Sequence, residues 1–292
     1  MHVGMTLPSM VETYDRATTL EWCARIDGGP FSSVAVGERI TFHNQEQLVC
    51  LAAAAALTSR VRIMATIVIL PMHPVALVAK QMATLDVLSG GRLSVGVGIG
   101  GRDHDYRAAG APVGNRLQRL DEGVAELRRL WRGEPPFDGA APVGPRPVHA
   151  GGPPVLCSSM GPKSLSRAAR WAEGLVGFTV SGDPGELMGT AERVKEAWVE
   201  AGRQDEPYLI TSAWCSMGPD AEARHHAYVS EYLAVAPDLA PYMVSASNLH
   251  TEARIARAMD AAEDAGFDEF VIVPTTGDLA ELDRFESLVR DR

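Results

Sequence analysis

The stretch LSVGVGIGGRDHDYRAAG, residues 93–110, decides between two folds. Gly96, Gly98 and Gly101 match the G-x-G-x-x-G spacing of a dinucleotide-binding turn. The context argues against that reading. The glycines lie on the fourth strand-like segment of the chain, not the first. Arg102-Asp103-His104-Asp105 follows where the fingerprint needs a helix with an apolar face. Asp121, the acid near the required distance, falls inside a helical pattern rather than at a strand end. Strand alternation accounts for the residues better. Leu93, Val95, Val97 and Ile99 point one way, and Ser94, Gly96, Gly98 and Gly100 the other. In a barrel the bulky row faces the helices and the small row faces the interior. The glycines then either relieve crowding or let a flat ligand lie close to the backbone.

Outward from this stretch, strand-like and helix-like segments alternate. Strands are expected at 2–8, 31–38, 61–71, 92–100, 155–159, 174–181, 208–217 and 269–276. Between them lie amphipathic or Ala-rich helical patterns, the clearest at 74–89 and 116–131, and further helices over 220–265. Gly90-Gly91 reads as a helix stop. The stretch after Gly101 reads as irregular, and the Pro/Gly-rich stretch 132–154 as an insertion. Eight strands, each followed by a helix, are the number that closes an α/β (β/α)8 TIM barrel. We expect that fold, with insertions, as a single domain over residues 1–292; an open doubly wound sheet is the rival.

Composition bounds the function. The chain has 292 residues, 46% of them hydrophobic and 22% charged, enough for a large core. The net charge of −10 argues against nucleic acid or an anionic membrane as a partner. Cys23, Cys50, Cys157 and Cys215 are scattered, with no C-x-x-C pair, which fits a reduced cytoplasmic protein better than a zinc knuckle or disulfide framework. No signal peptide is read at the N-terminus. The apolar helix LVCLAAAAALTS is too short to span a bilayer.

TIM-barrel chemistry sits at the C-terminal ends of the strands. That rule selects Glu38 and Arg39 after strand two, Thr66 and Ile67 in strand three with His73 beyond, and Gly98 to Tyr106 after strand four. After strand five come Ser158, Ser159, Met160 and Gly161, just before a helix starting near Pro162. Free N–H groups there favour an anion; the bland alternative is that Ser159 only caps the helix. Arg102, Arg107 and Lys163 add positive charge. His104 and Asp105 are the proton-transfer candidates, with surface turn residues as the alternative. No metal site is expected: His225 and His226 point about 100° apart on a helix and read, with Glu222, as a solvated face.

Three segments, 73–110, RLQRLDEGVAELRRLW (116–131) and PPVLCSSMGPKSLSRAARWAEG (153–174), together resemble the luciferase-like, flavin-dependent oxidoreductases. The shared pattern is H-P, an apolar helix ending S-G-G-R, a glycine strand and an acidic-aromatic pair, here Asp105-Tyr106. The resemblance implies a TIM barrel that binds FMN or the deazaflavin coenzyme F-420 across its mouth. It implies a non-proline cis peptide at Thr66–Ile67. It places Gly98, Gly100, Gly101 and Arg102 beside the cofactor, with Ser158, Ser159, Met160 and Gly161 at its phosphate. Arg39 stands where many members carry histidine after the acid, here Glu38. Asp105, His104 and Glu38 are the expected catalytic groups.

The expected activity is hydride transfer between coenzyme F-420 and a small organic substrate, in a cytoplasmic homodimer. Coenzyme F-420 is favoured over FMN because arginine outnumbers lysine 24 to 3, a composition that suits organisms using that coenzyme. An FMN-dependent monooxygenase and a non-catalytic flavin-binding barrel are the alternatives. An aldolase-type barrel would need a lysine at a strand end, and Lys80, Lys163 and Lys195 lie on none.

Overall fold

The computed structural model describes residues 1–159 and 161–292. Eight parallel strands close into a barrel in chain order, β1 pairing with both β2 and β8. They are β1 (His2–Thr6), β2 (Ser33–Val36), β3 (Arg62–Val68), β4 (Leu93–Val97), β5 (Val155–Cys157), β6 (Gly174–Phe178), β7 (Tyr208–Cys215) and β8 (Glu269–Pro274). The helices are α1 (Arg16–Gly28), α2 (Gln47–Leu57), α3 (Val75–Ser89), α4 (Asp103–Ala108), α5 (Arg116–Trp131), α6 (Pro162–Ala168), α7 (Pro184–Glu200), α8 (Ala221–Tyr232), α9 (Ala240–Ala246), α10 (Glu252–Asp264) and α11 (Leu279–Arg290). The expected barrel is therefore the observed one.

Local signals act as the sequence implies. Helix α1 starts where the Asp15 carboxylate accepts from the Thr18 N–H at 2.8 Å. Helix α3 stops at Gly90, whose φ of 67° is the left-handed conformation glycine adopts without strain. The arginine of the S-G-G-R run has a structural use. Arg92 donates to the carbonyls of Ala55, Thr58, Val61 and Ser89 and to the Thr58 hydroxyl. It ties the end of α2 to the starts of β3 and β4, and its charge faces the negative end of α2.

The core has two layers, and β4 shows how. Leu93, Val95 and Val97 join the large cluster between barrel and helices. Inside the barrel, Ala35, Met64, Leu156, Val176, Ile210 and Val271 pack together. Gly96 faces them: a Cβ there would lie 2.8 Å from the Ala65 carbonyl oxygen and 3.2 Å from Val176.

Two local expectations are corrected. The stretch after Gly101 contains the short helix α4. The strands also end earlier than their apolar runs: β1 stops at Thr6, β3 at Val68 and β4 at Val97. Just past these ladders, Leu7 lines a cavity, while Gly98 and Gly100 make room for Ile67 and Ile69.

Candidate active site at the barrel mouth

A cavity of about 290 Å³ opens among the C-terminal strand ends. Its floor and sides come from Thr6, Gly37, Thr66, Ile67, Ser158 and Val176. Phe178 and Trp214 form one wall, ring centroids 4.5 Å apart and nearly edge to face. Tyr228 and Tyr232 descend from α8, one turn apart, their rings stacked at 6.3 Å. Trp214 meets Tyr232 at 5.3 Å. Among the described residues, no lysine, arginine, histidine, aspartate or glutamate lines this space. Its side-chain oxygens are hydroxyls, and the buried Ser9 hydroxyl has no partner among the described residues. A buried hydroxyl left unpaired costs about 1–3 kcal/mol, so a ligand able to bond it gains accordingly.

The roof is held by charge. Arg39, 4% exposed, lies 4.0 Å over the Phe42 ring and 5.2 Å over Tyr232, and donates to the Tyr232 carbonyl at 3.2 Å. Arg102 covers Tyr232 at 4.6 Å. These are cation–π contacts in a partly dry setting. Burial and the neighbouring Arg102 push the Arg39 guanidinium below its ordinary value.

Asp105 answers those two cations from beneath. It is fully buried and accepts from the Thr41 N–H at 2.7 Å and the Thr41 hydroxyl at 2.5 Å. Burial alone would raise its carboxyl, but Thr41, Arg39 and Arg102 outweigh it and hold the group below the usual carboxylate range. An ionised Asp105 thus fixes the 38–42 segment that carries Arg39 and Phe42. It is not on the cavity wall.

Glu38 and His73 make a second pair. Glu38 accepts from the Ile69 N–H at 2.6 Å and meets His73 Nε2 at 2.6 Å. Burial lowers the His73 imidazole, and the Glu38 carboxylate more than reverses this, raising it overall. Gly37 and Ile67, beside Glu38 and Ile69, are wall residues.

The remaining sequence candidates divide. Thr66 and Ile67 line the cavity, and their peptide bond is cis. Gly98, Gly100 and Gly101 are not wall residues. A Cβ on Gly98 would stand 2.4 Å from Ile67 Cδ1, and one on Gly100 2.8 Å from Ile69 Cδ1. The glycines therefore admit Ile67 and Ile69, and Ile67 in turn faces the cavity. Ser158 is on the wall, Ser159 is half-buried beside it, and Met160 lies outside the described residues. Gly161, not Ser159, is the N-cap of α6. His104 is exposed and borders a separate recess with Arg102, Leu233 and Leu239. His225 corrects the solvated-face reading: it is fully buried, with Nδ1 3.0 Å from the Ser216 hydroxyl and Nε2 2.6 Å from that of Ser247. Burial pushes its imidazole down to about 3.

Sequence reasoning missed Ser9, Phe178, Trp214, Tyr228 and Tyr232. The strand-end rule could have found Phe178 and Trp214. Tyr228 and Tyr232 sit on a helix far along the chain, and only their i, i+4 spacing hinted at a shared face.

A cavity at the C-terminal mouth of a (β/α)8 barrel, walled by aromatics and hydroxyls, defines a small-molecule site of the kind TIM-barrel enzymes use. The model of the luciferase-like monooxygenase family matches residues 1–288, and the chain belongs to that family of enzymes. An uncharacterized protein of Mycobacterium tuberculosis is 36% identical over 171 residues, 54% of this chain and 56% of that protein. The pyrimidine monooxygenase RutA of Escherichia coli is 32% identical over 181 residues, 58% of this chain and 49% of RutA. The matches thus span about half the length of these curated relatives. Among solved structures, the fold is similar to an F420-dependent secondary alcohol dehydrogenase, with TM-score 0.82 and 20% identity over 98% of this chain and 97% of that one. It is also similar to the monooxygenase RslO1 from Streptomyces bottropensis, with TM-score 0.81 and 23% identity over 100% of this chain and 98% of that one. No helix among the described residues is long and apolar enough to cross a membrane.

Proposed function

We propose that this chain is a cofactor-dependent oxidoreductase. It binds a flavin-type tricyclic ring at the barrel mouth and moves a hydride between coenzyme F-420 and a small, largely apolar organic substrate. The observation that carries this reading is the cavity wall: aromatic faces and hydroxyls, with ionisable groups one layer behind. Such a wall suits a flat, polarisable ring and leaves the redox chemistry to the cofactor. The unpaired Ser9 hydroxyl supplies a bond that a ring heteroatom would complete. The cavity volume of about 290 Å³ falls just under the about 300–1,000 Å³ range of small-molecule pockets.

A bound deazaflavin or flavin supplies two-electron redox chemistry. The chain supplies the rest. Ile67, backed by Gly96 and Gly98, would hold the ring from the β3 wall. Phe178, Trp214, Tyr228 and Tyr232 exclude water from the reacting face. Ser158, Ser159, Met160 and Gly161 after β5, together with Gly100, Gly101 and Arg102 after β4, are proposed for the phosphate arm. Asp105 is a positioning residue acting through Thr41 and Arg39. The Glu38–His73 pair, next to the wall residue Gly37, is proposed as the proton reservoir, and His104, on the separate recess, is kept as a proton-transfer candidate for the turnover test below. The FMN-dependent monooxygenase is kept as the second reading because RutA and RslO1 are monooxygenases by name. A cytoplasmic homodimer is part of the proposal; a sedimentation mass of one chain would remove the dimer.

Trp214 provides the test. Titrating the protein with coenzyme F-420 and, separately, FMN should quench its fluorescence saturably, tighter for coenzyme F-420, and Trp214→Phe should abolish most of the quench. Tighter FMN binding would transfer the proposal to the monooxygenase. No saturable binding of either would overturn both. Turnover separates the roles: Asp105→Asn should lower turnover at least about tenfold, and restoring the segment's position with Asp105→Glu should recover part of it. Unchanged turnover in Asp105→Asn and His104→Gln removes them from the mechanism, and no turnover with any donor favours a binding barrel.

A further inference from the structure

The face of α8 turned away from the cavity carries a second cluster. Glu222 and His226 stand one helical turn apart, and His250 enters from the connection between α9 and α10. One potential ligand atom from each lies within 4.8 Å of the other two. His250 Nε2 is 3.9 Å from Glu222 Oε1, and the His226 and His250 rings are 5.7 Å apart. We propose that Glu222, His226 and His250 form a site for a borderline divalent cation, zinc foremost, that staples α8 to the turn before α10.

The donor set is the first argument. Two imidazoles and one carboxylate, with room for water, suit zinc better than calcium or magnesium, which favour all-oxygen shells. The tautomer is the second. Arg254 Nη1 lies 3.3 Å from His250 Nε2. An arginine can only donate, so in this contact Nε2 accepts with its single lone pair, the unprotonated form a metal ligand needs. Arg254 is exposed and also donates to the Asn248 carbonyl at 3.1 Å, so it can leave the lone pair to a cation and keep that second bond. Access is the third. The Glu222 side chain is 69% exposed, free to close the last ångström or so towards the roughly 3.3 Å donor separation of a tetrahedral zinc site. His225 takes no part, because both its nitrogens are committed to Ser216 and Ser247. All four cysteines are buried, so thiols do not compete.

The same helix sends Tyr228 and Tyr232 into the cavity. A cation here would fix that wall from outside without touching the ligand. The inference stands on geometry independent of the proposed reaction.

The experiment uses the full chain, stripped with EDTA and desalted, then titrated calorimetrically with zinc ion alone. One equivalent should bind, and His226→Gln and His250→Gln should each weaken binding at least about tenfold. Glu222→Gln, on the exposed surface, should weaken it while leaving the circular dichroism unchanged. His2→Gln, a distant surface histidine, should leave it unchanged. Zinc should raise the melting temperature of the parent chain more than that of the three variants. Cobalt(II) should show visible absorption of imidazole-ligated metal that is lost in His226→Gln. Absence of stoichiometric binding, or equal affinity in the parent and all three variants, would overturn the site.

Discussion

The two ends of the barrel treat buried polar groups in opposite ways. At the N-terminal end, Glu269 is fully buried at the start of β8. It accepts from the Ser32 and Ser33 hydroxyls at 2.6 Å each and from Arg62 at 2.7 Å, with the Tyr208 hydroxyl at 3.4 Å. Gly4 makes this closure possible, since a Cβ there would lie 2.1 Å from Ser33 Oγ. At the C-terminal end, Ser9 keeps an unpaired hydroxyl beside an open, aromatic space. One end satisfies its polar groups internally and serves stability. The other pairs its charged groups but leaves the Ser9 hydroxyl beside the cavity without a partner among the described residues.

The largest effect should come from breaking the closed end. Arg62→Ala removes the only cation paired with Glu269 among the described residues and leaves a buried carboxylate without it. Losing one partner of such a pair costs about 3–5 kcal/mol. Urea unfolding should show that loss, while the protein that remains folded binds cofactor as before. A change below about 1 kcal/mol would mean that water or the serines already compensate the charge.

The open end should answer differently to a single methyl. Gly98→Ala meets Ile67 Cδ1, the movable tip of a side chain, and pushes it into the cavity. Ligand affinity should fall about tenfold, or 1.4 kcal/mol, with a smaller change in unfolding. Gly96→Ala meets the Ala65 backbone carbonyl oxygen, which cannot rotate away, at 2.8 Å, as well as Ile67 Cγ2 at 3.0 Å, and should cost about 1–3 kcal/mol of stability. Unchanged ligand affinity in Gly98→Ala would show that Ile67 does not set the wall.

These contrasts also mark what the sequence revealed. The alternating small and bulky residues of 93–100 located both the barrel and the side of β4 that faces inward. That pattern depends on local pleating alone. The same glycines did not reveal that Ile67 fills the space they leave, because that contact crosses between strands. The strand-end rule reached Thr66, Ile67 and Ser158, which are on the wall. It could not reach Tyr228 and Tyr232, whose helix is brought over the mouth by the chain's path after β7. Asp105-Tyr106 was legible as a feature but not as a buried anchor, since its partners Thr41 and Arg39 are more than sixty residues away. His250 joined Glu222 and His226 for the same non-local reason.

The smallest effect is a matter of pH, and it distinguishes the ends once more. Glu38 raises the His73 imidazole above its ordinary value of about 6.5 despite burial. The native state therefore binds the proton more tightly than the unfolded chain. The pair's stabilisation is fully present below about pH 6.5 and is lost as pH rises through the folded value. The stability gap between the parent chain and His73→Gln should be widest at and below about pH 6 and should shrink as pH rises above the ordinary imidazole value. Despite burial, the Arg62 guanidinium is raised above its ordinary value by Glu269 and Tyr208 and stays charged across that interval, so the gap for Arg62→Ala should stay flat. Urea midpoints at three pH values decide the matter. If the His73→Gln gap is also flat, the 2.6 Å contact is a hydrogen bond donated by a neutral imidazole to the Glu38 carboxylate, and the pair holds no extra proton to lend to the barrel mouth.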